Sequence, residues 1–158
     1  VNQSADLLEQ LLRWRRDVRH FRTTPVPPDV LDTLLRSTCL APSVGLSEPW
    51  RFCLVETPAR RAAISAEFVR CNHAALQART GDAAHYARLK LAGLDTAPHH
   101  VAVFSERAPA QGRGLGRATM PDTTLWSTMM ALHTFWLSAT AAGVGVGWVS
   151  ILEPARVN

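Results

Sequence analysis

The sequence predicts one domain that mixes helices with a few short strands, and three observations carry that reading. Leu7, Leu8, Leu11 and Leu12 recur at helical spacing, and so do Val30, Leu31, Leu34 and Leu35. Short β-rich runs stand at 50–55, 98–104 and 143–152, each introduced by Pro or Gly. A chain of 158 residues, 47% hydrophobic and 19% charged, is long and apolar enough to bury a core.

Taken in order, Ser4 is the expected N-cap of a first helix over residues 5–14. An arginine-rich junction follows and runs into Thr23-Thr24-Pro25, which cannot continue a helix. Pro27-Pro28-Asp29 opens a second helix that reaches about Cys39. Ala41-Pro42-Ser43-Val44-Gly45 reads as a loop, and 50–55 as a strand. Pro58 starts a third helix over 59–80, with further helical turns at 83–92 ending at Gly93. Residues 98–104 read as a second strand, and 105–119 as a flexible loop carrying Gly112, Gly114 and Gly116. Pro121-Asp122 opens a long helix to about Ala142, and 143–152 reads as a third strand.

Residues 123–152 contain no Asp, Glu, Lys or Arg, which raises the question of a membrane span. The run is rich in Ser and Thr, holds His133, and carries Gly143, Gly145 and Gly147 at the spacing of a strand. A helix buried on nearly all sides is the better reading. One small domain rarely encloses a helix so fully, so a second copy of the chain is expected to cover part of it.

The net charge is +4, and sixteen of the 17 basic residues are Arg, with Lys90 the only Lys. No basic stripe interleaved with aromatics appears, so nucleic acid is not an expected partner. An anionic small molecule suits the charge better. Cys39, Cys53 and Cys71 form no C-x-x-C, so neither a disulfide framework nor a zinc site is implied, as befits a reducing cytoplasm. No basic segment followed by an apolar one opens the chain, so no signal peptide is read. There is no G-x-S-x-G, Walker A or H-E-x-x-H motif. The Gly112-x-Gly114-x-Gly116 run follows no strand and opens no helix, so it fails as a dinucleotide fingerprint. His99-His100 lacks a third ligand at useful spacing and reads as a strand-entry pair. Trp126, Met129, Met130 and Trp136 read as core or interface.

The densest chemistry is the arginine-rich junction. Arg13, Arg15, Arg16, Arg19 and Arg22 fall within ten residues around one carboxylate, Asp17. Guanidinium groups are planar, permanently charged forks that suit phosphate and other delocalised anions. Read without any relative, Asp17 is best an ion pair that orients Arg15 or Arg19.

Five blocks in order resemble one family. They are Arg15-Arg16-Asp17-Val18-Arg19, then Ala41-Pro42-Ser43-Val44-Gly45 with Pro49-Trp50-Arg51-Phe52, then Arg88-Leu89-Lys90-Leu91, then Gly116-Arg117-Ala118-Thr119-Met120-Pro121, and last Gly143-Val144-Gly145-Val146-Gly147-Trp148-Val149-Ser150-Ile151-Leu152. Together they resemble the 5,6-dimethylbenzimidazole synthases, the flavin-consuming members of the nitroreductase superfamily. The superfamily usually carries Ser or another small polar residue where this chain has Asp17, and Asp there marks the synthases.

The resemblance implies an α+β fold: a mostly antiparallel sheet flanked by helices, in a homodimer with FMN at the subunit interface. It implies a single nitroreductase-like flavin domain over 1–158. Related proteins continue past Leu152 with a further strand and basic residues, so the family's C-terminal tail is expected to be lacking here. The implied reaction consumes reduced FMN and O2 in the cytoplasm. The isoalloxazine is fragmented to 5,6-dimethylbenzimidazole, the lower ligand of vitamin B12, with erythrose 4-phosphate as by-product. A flavin reductase would supply the reduced FMN.

Residue by residue, the resemblance implies that Arg15, Arg16, Asp17, Val18, Arg19, Ser43, Gly45, Leu89 and Ser150 bind FMN. Asp17 and Ser150 are the implied catalytic pair, with Asp17 as general acid/base and Ser150 as a hydroxyl at the flavin edge. Leu89 falls in a segment resembling the family's lid. Two other readings remain open at this point: an NAD(P)H-dependent FMN nitroreductase or flavin reductase, and an inactive flavin-binding remnant.

Overall fold

The computed structural model describes residues 2–77 and 93–157. Its elements are α1 (Gln3–Trp14), α2 (Pro28–Ser37), β1 (Trp50–Leu54), α3 (Pro58–Gln77), β2 (Val101–Ser105), α4 (Thr123–Ala141) and α5 (Pro154–Val157), with short 3-10 turns at Thr38–Leu40 and Val44–Leu46. The helical turns expected at 83–92, and Leu89 with them, lie outside the described residues. The chain divides into two compact units. The first takes residues 1–15, 26–53 and 101–144, and the second takes 16–25, 54–100 and 145–158.

The first unit is built on α4. Thr124, Ser127, Thr128, Ala131, Phe135, Trp136 and Ala139 are buried and recur at three- and four-residue steps along one face. Ala131 packs with Ala41 and Trp50, with Phe52 against them, and the Phe52 and Phe135 rings meet at 6.0 Å. The small hydroxyls of this face tie in the neighbouring chain. Ser127 Oγ accepts the Val44 N–H at 3.0 Å, and Thr128 Oγ1 donates to Ser105 Oγ at 2.9 Å. The buried hydroxyls of Ser127 and Thr128 are tolerable because each finds a partner this way.

Within one chain the uncharged helix is buried on one side. Leu125, Trp126 and Met130 stand about half exposed on the face away from that core. No helix among the described residues is long and apolar enough to cross a membrane. α1 likewise buries none of its residues, and Leu7, Leu8, Leu12 and Trp14 are exposed. Its N-cap is Asn2 and not Ser4, because the Asn2 side chain reaches the Ser4 N–H at 3.1 Å from extended backbone. β1 and β2 form a two-stranded sheet. Glu106 N–H donates to the Pro49 carbonyl and Val55 N–H to the His100 carbonyl, each at 2.8 Å, which pairs the start of each strand with the end of the other and makes the sheet antiparallel.

In the second unit, Phe68 of α3 is fully buried, worth about 2–3 kcal/mol as area removed from water. Arg61 donates to the carbonyls of Val55 at 2.9 Å and Pro98 at 2.6 Å, bracing the approach to α3. His100 sets its Nε2 on the Leu94 carbonyl at 2.8 Å, and burial holds its imidazole below the ordinary pKa. That neutral, backbone-bound ring fits a strand-entry histidine.

The third strand expected at 143–152 does not form. Gly143 ends α4 instead, at φ 72°, with the Val144 N–H returning to the Ala139 carbonyl at 2.8 Å. Residues 145–150 carry no strand assignment. Alternation alone cannot make a strand, because a ladder needs repeated backbone partners. Here one backbone bond, Val18 N–H to the Val146 carbonyl, and the side chains of Asp17 and Arg19 do the pairing.

Candidate active site

In the second unit, residues 16–19 run alongside 145–148. Arg15 has already left the helix at ψ 131°. The Val18 N–H donates to the Val146 carbonyl at 2.9 Å. Glycine is needed on the facing segment. A Cβ at Gly145 would stand 3.1 Å from a Val18 methyl, and one at Gly147 would strike the Val18 carbonyl. The two-residue spacing of these glycines thus serves the docking of Val18.

Docking carries Asp17 onto Trp148. Asp17 Oδ1 accepts the Trp148 N–H at 2.9 Å. Arg19 Nη2 donates to Asp17 Oδ2 and also to the Trp148 carbonyl, the latter at 2.8 Å. The Arg19 side chain is 9% exposed and the Asp17 side chain 35%, so the cation is enclosed while the carboxylate still meets solvent. Each carboxylate oxygen has two lone pairs, so Asp17 keeps acceptor capacity for a proton or a ligand. Arg16 and Ser150 are exposed, the latter two residues beyond Trp148 on the same segment.

The remaining expected residues fall in the first unit. The Arg15 guanidinium lies over the Trp136 ring at 4.8 Å, a contact worth about 0.5–2 kcal/mol. Ser43 Oγ accepts the Glu48 N–H at 3.1 Å and so braces its own loop. Gly45 sits at φ 55°, and a Cβ there would stand 3.1 Å from Leu115 Cβ and 3.3 Å from the Gly112 carbonyl. That loop is tightly wound, since Leu46 and Glu48 also take positive φ, at 55° and 41°. Glycine at position 45 is therefore already required by the protein's own packing.

Two participants escaped the sequence reading. The backbone of Trp148 binds Asp17, and no side-chain pattern advertises a backbone donor. Trp136 reads correctly as core, but its ring also carries Arg15; the helical face it shares with Phe135 gives no hint of a cation.

A second ionic cluster lies in the second unit. Glu67 of α3 accepts from Arg70 Nη2 at 2.6 Å and Nε at 2.9 Å, and Arg156 lies 3.3 Å away. Arg70 also meets Glu153 at 2.9 Å. The Arg70 hydrogen bonds hold the Glu67 carboxyl at about 2, against the upward push of burial. Cys71 donates to Glu67, and burial together with that bond raises its thiol pKa. Glu67, Cys71 and Glu153 bring ligand-type atoms within 4.8 Å of one another, but arginines already occupy both carboxylates.

Comparison with known proteins fixes the kinship. Residues 12–158 match the profile described as the Nitroreductase family. A 5,6-dimethylbenzimidazole synthase of Rhodospirillum rubrum is 54% identical over 97% of this chain and 73% of its own length. A synthase of the same name from Rhodobacter capsulatus is 51% identical over 97% of this chain and 74% of its own. The chain belongs to the nitroreductase family, among its 5,6-dimethylbenzimidazole synthases. Solved structures agree on the fold. An iodotyrosine deiodinase bound to FMN and 3-iodo-L-tyrosine superposes with a TM-score of 0.77 at 22% identity, covering 95% of this chain and 78% of that one. A nitroreductase family protein of Clostridium novyi NT gives 0.71 at 16% identity, covering 94% and 72%. The nitroreductase fold expected from the motifs, with helices around a small antiparallel sheet, is thus the one adopted.

Proposed function

We propose that the protein fragments reduced FMN with O2 to yield 5,6-dimethylbenzimidazole, the lower ligand of vitamin B12. One observation carries the reading. In a chain about half identical to named synthases, the arginine-rich block centres on a carboxylate, Asp17, held on the Trp148 backbone and still a third exposed. The residues present suit the flavin. FMN carries a phosphate and its reduced ring is anionic near neutral pH, and Arg16 is an exposed guanidinium beside the carboxylate. When bound, reduced FMN supplies both the electrons and the ring that is cut. The chain's own part is to hold it, exclude water and move protons.

Asp17 is the acid/base group in this reading, because its two oxygens hold bonds from Trp148 and Arg19 yet retain unused lone pairs. Ser150, exposed on the same segment, offers a hydroxyl that can donate to or accept from the flavin. A flavin reductase supplies the reduced substrate, and the reaction runs in the cytoplasm. A second copy of the chain covers the exposed apolar residues of α1 and α4, since Leu7, Leu12, Trp14, Leu125 and Trp126 are too many to leave in water.

The test is the fate of the flavin. Purified protein is given reduced FMN in air, and the products are examined by mass spectrometry. Dimethylbenzimidazole is expected. Complete recovery of FMN with steady NADPH consumption would instead make the protein a flavin reductase. Sedimentation of the same sample should give twice the chain mass.

A further inference from the structure

We propose that Gln111 is a positioning residue, which together with Gly112 and Gly116 holds the 43–48 loop in the wound form that receives the flavin. This rests on the function proposed above and on the flavin contacts of Ser43 and Gly45 that the family resemblance implies. The loop is wound against local preference. Gly45, Leu46 and Glu48 take positive φ, at 55°, 55° and 41°, and a side chain makes such backbone costly at Leu46 and Glu48. Its own bonds close it: Leu46 N–H to the Ser43 carbonyl at 3.1 Å, Ser47 N–H to the Val44 carbonyl at 3.0 Å, and Glu48 N–H to Ser43 Oγ at 3.1 Å. Strained backbone of this kind persists only where its surroundings also hold it.

Two side chains from other parts of the first unit supply that hold. Ser127 Oγ on α4 accepts the Val44 N–H at 3.0 Å, and Gln111 Nε2 donates to the Leu46 carbonyl at 2.6 Å. Gln111 can reach because the glycines after it let the two loops close on each other. A Cβ at Gly112 would stand 2.8 Å from the Gly45 carbonyl and 2.9 Å from Ser47 Cβ, and one at Gly116 would stand 2.5 Å from a Val44 methyl. Gly114 is different: a Cβ there would meet nothing nearer than the Arg117 guanidinium, at 3.7 Å. The glycine run that fails as a dinucleotide fingerprint thus has a use, which is to lay the 111–116 backbone against the residues expected to face FMN.

Gln111→Met, Gly116→Ala and Gly114→Ala test the idea in the whole chain. Each is measured for its Kd for oxidised FMN and, without flavin, for hydrogen exchange at the Ser47 amide. Gln111→Met keeps the length of the side chain and loses the donor. Its Kd should rise about three- to fivefold, the scale of one lost hydrogen bond, and Ser47 exchange should quicken by a similar factor. The two glycine variants carry the same left-handed strain, at φ 79° and 76°, so the difference between them reads the contact with Val44. Gly116→Ala should weaken FMN binding about tenfold or more, and Gly114→Ala by about twofold or less. Should Gly116→Ala fail to fold, Gln111→Met carries the test, since Gln111 is exposed. A raised Kd in Gln111→Met with unchanged Ser47 exchange would make Gln111 a flavin ligand and overturn the proposal. Faster exchange with an unchanged Kd would show that the flavin does not need this loop form, and would overturn it too. Equal losses in the two glycine variants would leave only backbone strain and remove the role of Gly116. Neither readout needs turnover: a parent protein that binds FMN and returns it intact fails the function proposed above and leaves the positioning role of Gln111 standing.

Discussion

Two carboxylates of the second unit, Glu67 and Asp17, each meet arginine, and their surroundings differ in the number of donors. Glu67 is 8% exposed at its side chain and receives two bonds from Arg70, one from the Cys71 thiol and one from the Glu153 N–H, with Arg156 against it. Three of these hydrogen bonds fall on Oε1, and Oε2 meets Arg70 and Arg156, so both oxygens are crowded with donors. Asp17 is 35% exposed and receives one backbone N–H and one arginine. A saturated carboxylate cannot take up a proton without losing a partner, whereas an undersaturated one can. Glu67 therefore fastens α5 to α3, whereas Asp17 keeps acceptor capacity for a further partner. A carboxylate beside arginine is a clamp in one place and is left undersaturated in the other.

The largest expected effect breaks the reactive side of this contrast. Asp17→Asn keeps size and most hydrogen bonding but removes the titratable proton. Dimethylbenzimidazole yield should fall about 10²-fold or more, with FMN affinity and the dimer intact. If excess reduced FMN restores the yield, Asp17 is scaffolding like Glu67 and the contrast collapses.

Gly147→Ala attacks the floor under Asp17 without adding or removing any charge. The added methyl collides with the Val18 carbonyl, so the cost should be about 1–3 kcal/mol in urea unfolding, with product lost alongside. Full activity in a stably folded Gly147→Ala protein would show that the docking of 16–19 on 145–148 is dispensable.

The clamp side is read by pH. Glu67 is lowered from the ordinary 4.5 to about 2, so the folded state binds its proton more weakly than the unfolded state does. Its contribution to stability is complete above about 4.5 and is lost as pH falls through about 2. Glu67→Gln should lower the melting temperature at neutral pH and flatten this part of the acid limb, while FMN affinity at neutral pH stays put. An unchanged acid limb would mean that the cluster opens in solution.

Ser150→Ala is the mildest change. A water can take the place of the hydroxyl, so a loss of a few fold in product is expected, with no change in melting temperature. A loss as large as that of Asp17→Asn would move Ser150 from an assisting role to an essential one.

The sequence by itself determined α1 to α4, the two strands and the family. Those features live in local periodicity, in Pro and Gly punctuation, and in the order of five motif blocks, all of which are linear. It also singled out Asp17 as the carboxylate among arginines. Its failures share one cause. The glycines at 143, 145 and 147 look alike in the chain, yet Gly143 closes α4 while Gly145 and Gly147 make room for Val18. A period of two reports alternation, and only a neighbouring segment decides whether it becomes a ladder or a docking floor. The tertiary structure also divided the arginines, setting Arg15 over Trp136, enclosing Arg19 against Asp17 and leaving Arg16 exposed. It built the Glu67 clamp from residues 86 positions apart, which no local pattern announces. Charge is written in the sequence, but whether a charge is saturated depends on how many donors the fold brings to it.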